Sequence, residues 1–108
     1  MSNIKKIYGL LGLAKRAGKI CSGESRCKDS IRFGTSYLVI IANDTGVNTK
    51  KSITDSCRYY DVPYYELGTM TDNGHAIGND FNAVLSVTDE GFAKSIEKSI
   101  LAKINGGE

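Results

Sequence analysis

Tyr37-Leu38-Val39-Ile40-Ile41-Ala42 is the stretch that decides the fold. A strand with one wet face alternates apolar and polar side chains. This run is apolar throughout and rich in β-branched residues, so it reads as a central strand covered on both faces, as in α/β proteins. It is far shorter than the ~20 residues of a membrane helix. Asn43-Asp44-Thr45-Gly46 behind it is turn-forming. A helix is expected next, from about Thr49 to Tyr60, with Ile53, Cys57 and Tyr60 on one stripe. Val62-Pro63 ends it, and Tyr64-Tyr65-Glu66-Leu67 reads as a further strand.

The same alternation continues in both directions. Ile4, Ile7, Tyr8, Leu10, Leu11, Ala14 and Ala17 recur at helical spacing, which predicts a helix from about Asn3 to Ala17, closed by Gly18. Gly9 and Gly12 lie inside it and are expected to permit close packing. Lys19-Ile20-Cys21-Ser22 fits a short edge strand. Gly23 opens a second helix, Glu24 to Phe33, with Cys27 and Ile31 inward and Gly34 at its end. Downstream, 69–77 reads as a short helix and Gly78-Asn79-Asp80 as a loop. Ala83 to Val87 is an inner strand. Asp89 is a good N-cap for a last helix bearing Phe92, Ile96, Ile100 and Ile104 at steps of four. The prediction is one domain over 1–105, a three-layer α/β/α sandwich around a central four-stranded mixed sheet, with 106–108 as a frayed tail.

The 108 residues suit one core, and 41% hydrophobic with 24% charged residues is ordinary for a globular chain. No secretory signal is legible at the start, so the expected location is cytoplasmic. Cys21, Cys27 and Cys57 are an odd, widely spaced set, read as buried or half-buried thiols and not as disulfides or metal ligands. The net charge of +2 conceals an asymmetry. Residues 1–35 hold eight basic and two acidic side chains, and the remainder holds six and ten. A basic third on a near-neutral protein suits a polyanion, and equally suits a merely solvated face.

Catalytic constellations are scarce. His75 is the single histidine, so a triad or metal site would rest on it alone. No phosphate-binding loop with its Lys-Ser/Thr is present, and no Gly-x-Gly-x-x-Gly follows a strand. No enzymatic activity, cofactor, metal or small-molecule substrate is therefore expected. The informative segment is 15–28, Lys15-Arg16-Ala17-Gly18-Lys19 leading through Ser22-Gly23-Glu24-Ser25-Arg26-Cys27-Lys28. A basic stretch there meets a helix start, where free N–H groups can hold a phosphate. With Cys27 and Ile31 inward, Ser25, Lys28, Asp29 and Arg32 must point outward. The alternative is that Gly23 only makes the turn and the charges are solvated.

With these residues in view, the chain resembles the ribosomal L-seven-Ae superfamily, which includes the L-thirty-e proteins and many kink-turn RNA binders, and within it the bacterial YlxQ-type proteins. The likeness covers nearly the whole chain. It is carried by 10–19, Ser22-Gly23-Glu24, 37–44, Asn48-Thr49-Lys50-Lys51, 59–63, Gly74-His75-Ala76-Ile77-Gly78 and 87–93. It implies an α/β/α sandwich that binds structured RNA, ribosomal or with a kink-turn-like element. The family's Gly-x-Asn-Glu-x-x-Lys falls on Gly23, Ser25, Arg26 and Asp29, so only the glycine is kept. Arg26 cannot accept hydrogen bonds as Glu does, and Asp29 repels phosphate where Lys attracts it. In the family the loop before the last strand meets a flipped-out base; here it carries Phe81, which reads as a stacking surface or as the first core residue of the strand. The expected RNA contacts are Lys15, Arg16, Lys19, Gly23, Ser25, Arg26, Lys28, Arg32 and Phe81. The other reading is a protein-interaction module that kept the fold and lost specific RNA contacts.

Overall fold

The computed structural model describes residues 3–106. Its elements are α1 (Asn3–Arg16), β1 (Ile20–Ser22), α2 (Glu24–Arg32), β2 (Leu38–Ile41), α3 (Val47–Tyr60), β3 (Tyr64–Glu66), α4 (Met70–Ala76), β4 (Val84–Val87) and α5 (Glu90–Gly106). The apolar run forms β2, every residue of it buried. The sheet order is β1-β4-β2-β3. β2 and β3 are parallel, while β4 runs antiparallel to both β1 and β2, so the sheet is mixed and β1 is an edge, as expected.

Two apolar layers form because side chains alternate across the pleat. Leu38, Ile40, Leu85 and Val87 face α1 and α5, where Ile7, Leu11, Ile96 and Ile100 complete one core. Val39, Ile41 and Val84 face α2 and α3, against Cys27, Ile31, Ile53 and Cys57. Each buried side chain of this size contributes roughly 1.5–3 kcal/mol.

Several expectations need correction. α3 begins at Val47, two residues before Thr49, because Gly46 is extended and its carbonyl accepts from Lys50 N at 3.0 Å, closing the first turn early. Tyr60 leaves the stripe of Ile53 and Cys57 and is 41% exposed, while Val62 and Tyr64 pack there instead. On α5, Ile96 and Ile100 are buried but Ile104 is exposed. Steps of four advance 400°, so such a row drifts ~40° per step off the buried face; Ala93 and Ser99 take the inner positions. Helix α5 runs through Gly106, the first residue of the expected tail, and 107–108 lie outside the described residues. Gly12 does allow close packing, its Cβ position lying 3.3 Å from the Ala76 carbonyl oxygen, whereas Gly9 faces open space.

Connectivity puts the carboxyl ends of β1, β2 and β3 together, with the starts of α2, α3 and α4 and the segment 78–83. Gly23 N donates to Val84 O (3.1 Å), Ala42 N to Ala83 O (2.9 Å) and Asn43 N to Gly68 O (2.8 Å). Ligands of open α/β sheets bind at such an end.

Candidate nucleic-acid interface

Helix α2 starts without a side-chain cap, on a glycine at φ 97°, ψ 150°. A side chain is strained there, so Gly23 is the residue type the turn needs. The first amides of α2 have no partner within the helix, and the tip is exposed. Glu24 stands beside it and accepts from Thr49 Oγ1 of α3 at 3.0 Å, placing a carboxylate at the same tip.

The outer face of α2 is closer to neutral than its sequence suggests. Ser25, Lys28, Asp29 and Arg32 do point outward, with Glu24 lining the same shallow groove. Lys28 Nζ is drawn across to Ser52 Oγ on α3 at 2.8 Å. Arg32 pairs with Asp29 at 3.1 Å and lies 4.8 Å over the Phe33 ring. Arg26 differs. It lies two positions before Lys28, about 200° of helix rotation, so it projects away from α3. It is exposed, and its side chain makes no hydrogen bond or ion pair with another described residue.

Lys15 and Arg16 lie in the other outer layer. The end of α1 and the end of α4 enclose a cleft lined by Gly12, Lys15, Arg16, His75, Ala76, Ile77 and Gly78. Lys19 precedes β1, at the opposite end of that strand from Gly23: its carbonyl accepts from Thr88 N, while Gly23 bonds to Val84. Lys15, Arg16 and Lys19 likewise have no side-chain partner among the described residues. The cations expected to form one patch thus divide between two layers of the sandwich, those of α1 and those of α2.

The segment 78–82 joins the two. Phe81 is 68% exposed, which removes its reading as a core residue. Its backbone is held tightly all the same. A Cβ on Gly74 would sit 2.7 Å from the Phe81 carbonyl carbon, so only glycine permits the approach. Asn79 N donates to Gly74 O (2.8 Å) and Asn82 N to Met70 O (2.9 Å). Asn82 Nδ2 donates to Val84 O at 2.9 Å, the carbonyl that also receives Gly23 N, so the Phe81 loop is tied to the α2 tip. Asn82 Oδ1 is buried without a hydrogen-bond partner among the described residues. Gly74, His75 and Asn82 were outside the expected contact set. The glycine-flanked histidine was the visible trace of the first two, and nothing local marks Asn82.

The thiols are quiet. Burial, then the neighbouring Cys21 and Cys57, pushes Cys27 up to about 12, and burial pushes Cys57 up to about 12. No group of three or more His, Cys, Asp or Glu able to hold a metal ion occurs among the described residues.

Fold and site define a small α/β/α sandwich with loops and helix starts gathered at the carboxyl end of its sheet. The chain belongs to the ribosomal protein L7Ae/L30e/S12e/Gadd45 family, whose model matches residues 5–97. It is 42% identical over 89 residues to the RNA-binding protein YlxQ of Bacillus subtilis, covering 82% of this chain and 89% of that one. It is 32% identical over 103 residues to the large ribosomal subunit protein eL8 of Thermoplasma volcanium, covering 93% and 84%. A solved protein of unknown function from Bacillus halodurans C superposes with a TM-score of 0.86 at 36% identity, covering 88% and 96%. A Giardia lamblia 15.5kD RNA binding protein shares the fold, with a TM-score of 0.76 at 20% identity over 96% and 88%.

Proposed function

We propose that this chain is a non-catalytic, cytoplasmic protein that binds structured RNA, ribosomal or containing a kink-turn-like element. The observation that carries the reading is the segment 78–82, which bears exposed Phe81 and links the exposed Gly23 tip beside Arg26 to the cleft of Lys15 and Arg16, three cations whose side chains have no partner among the described residues. Amides and cations there suit phosphates. An exposed aromatic suits an unstacked base. Ser25 and Arg26 would face bases or a groove. Arg26 is a donor only, so it would read acceptor-bearing edges. Lys19, Lys28 and Arg32 would contribute flanking charge, the last two at the expense of their contacts to Ser52 and Asp29. Support comes also from the family and from the YlxQ relatives.

The test is a salt titration of binding to a kink-turn hairpin, an uninterrupted duplex of equal length and an unstructured strand. The log of the affinity should fall steeply with the log of salt, by ~0.9 per phosphate neutralised on a duplex. Preference for the hairpin supports kink-turn recognition, and equal binding to hairpin and duplex limits the reading to structured RNA. Weak, salt-independent binding to all three overturns it.

One observation favours a second reading, a protein-interaction module. Phe33, Tyr37, Tyr59 and Tyr60 are all exposed, and they lie at the far ends of α2 and α3 and before β2, away from the Gly23 end. Exposed aromatics are enriched at protein interfaces. A partner retained after ribonuclease treatment, and lost on Tyr59→Ala, would favour this module.

A further inference from the structure

We propose that the cleft between the ends of α1 and α4 is a phosphate site for an RNA backbone, with His75 as a third donor beside Lys15 and Arg16. The inference rests on the RNA-binding reading above and adds to it a residue, a place and a path for the strand.

The cleft has the composition such a contact needs. Two side chains that carry a positive charge, and one imidazole that can donate, line one concavity. Its remaining lining is Gly12, Ala76, Ile77 and Gly78, which offers no carboxylate. Small residues let a bulky anion approach the backbone. At Gly12 even a Cβ would stand only 3.3 Å from the Ala76 carbonyl oxygen, so the missing side chain keeps α1 and the end of α4 close. The side chains of Lys15, Arg16 and His75 form no hydrogen bond or ion pair with another described residue, so none must break an internal bond to receive a ligand. On the outer face of α2, by contrast, Arg32 is paired with Asp29 and Lys28 is bonded to Ser52.

The position of the cleft sets the path. Gly78 lines it, and Asn82, four residues on, shares the Val84 carbonyl with Gly23. Four residues span at most ~14 Å, about four base steps at ~3.4 Å each along one strand. Phe81 stands exposed between the two ends. A single strand can therefore leave the α2 tip, pass Phe81 and place a phosphate in the cleft.

The experiment measures anisotropy of a labelled kink-turn hairpin, and of an uninterrupted duplex beside it, across a salt series with the full chain. The variants are His75→Glu, His75→Lys, Arg26→Ala and Tyr59→Glu, which puts a new carboxylate on the other face of the sheet. All three sites are exposed, and circular dichroism checks that each variant folds. His75→Glu should weaken binding at least tenfold. His75→Lys should tighten it and steepen the salt slope by ~0.9, which a structural role would not do. Tyr59→Glu should match wild type.

If both His75 variants match wild type while Arg26→Ala weakens binding, the cleft proposal falls and the RNA reading stands. If wild type binds neither RNA, both fall. A further arm follows the His75 ring signals by NMR. If inorganic phosphate moves them saturably and RNA does not, the cleft is a small-anion site and the proposal is overturned.

Discussion

Gly74 shows how one missing side chain shapes the surface. It sits inside α4, where glycine is a poor helix former, and it is buried because the Phe81 backbone lies over it. Gly74→Ala should lower stability by about 1–3 kcal/mol through overpacking and displace Phe81, as denaturant unfolding and an RNA titration on the same variant would show. Loss of RNA affinity with unchanged stability would mean that the loop moves freely. Arg26 makes the complementary case. It is exposed and without a partner among the described residues, so Arg26→Ala should leave stability within about 0.5 kcal/mol while weakening RNA binding by about 1–3 kcal/mol. Unchanged affinity in the folded variant would exclude Arg26 from the interface.

At the scale of elements, burial decides what periodicity cannot. Ile96 and Ile104 both belong to the apolar row of α5, yet one is fully buried and the other 60% exposed. Ile96→Ala should cost about 2–5 kcal/mol, and Ile104→Ala less than about 0.5 kcal/mol, read by chemical denaturation. Comparable losses would mean that the end of α5 is covered in solution. The same contrast shows what was legible in advance. The unbroken apolar run 37–42 announced a doubly covered strand, and the alternation around it gave the layers, because local pattern dictates local structure. The candidate surface was only half legible. Gly23, Ser25 and Arg26 fall where their spacing puts them. Capture of Lys28 by Ser52 and the division of the cations between layers depend on which elements become neighbours, and no single segment encodes that. The role of Gly74 under Phe81 was hidden for the same reason.

The whole molecule carries its ionisable groups in a way that makes alkali its weak side. Cys27 and Cys57 are pushed up to about 12 by burial, Cys27 also by its neighbouring cysteines. Tyr8 is raised to about 12 by burial and then by the Asp72 carboxylate; Tyr65 is raised to about 12 by burial and its 2.8 Å bond to Glu97. All four are acids held neutral in the fold. Below their ordinary values of 9.0 for the thiols and 10.0 for the phenols, folded and unfolded chains are protonated alike, and these groups add no pH dependence. Above those values the unfolded chain releases protons that the folded chain keeps, so the unfolded state is favoured as pH rises. Stability should be insensitive to these groups below pH 9 and should decline progressively from there toward pH 12. Cys27→Ala and Cys57→Ala should blunt the early part of the decline, though each leaves a smaller side chain in the core and lowers stability at every pH. Urea midpoints collected at pH 7, 9, 10 and 11 separate the two effects, since the cavity term is flat with pH and the thiol term is not. A midpoint that stays level to pH 11 in the parent chain would show that the thiols and phenols titrate freely in the folded protein. That would contradict the packing of α2 and α3 against the sheet.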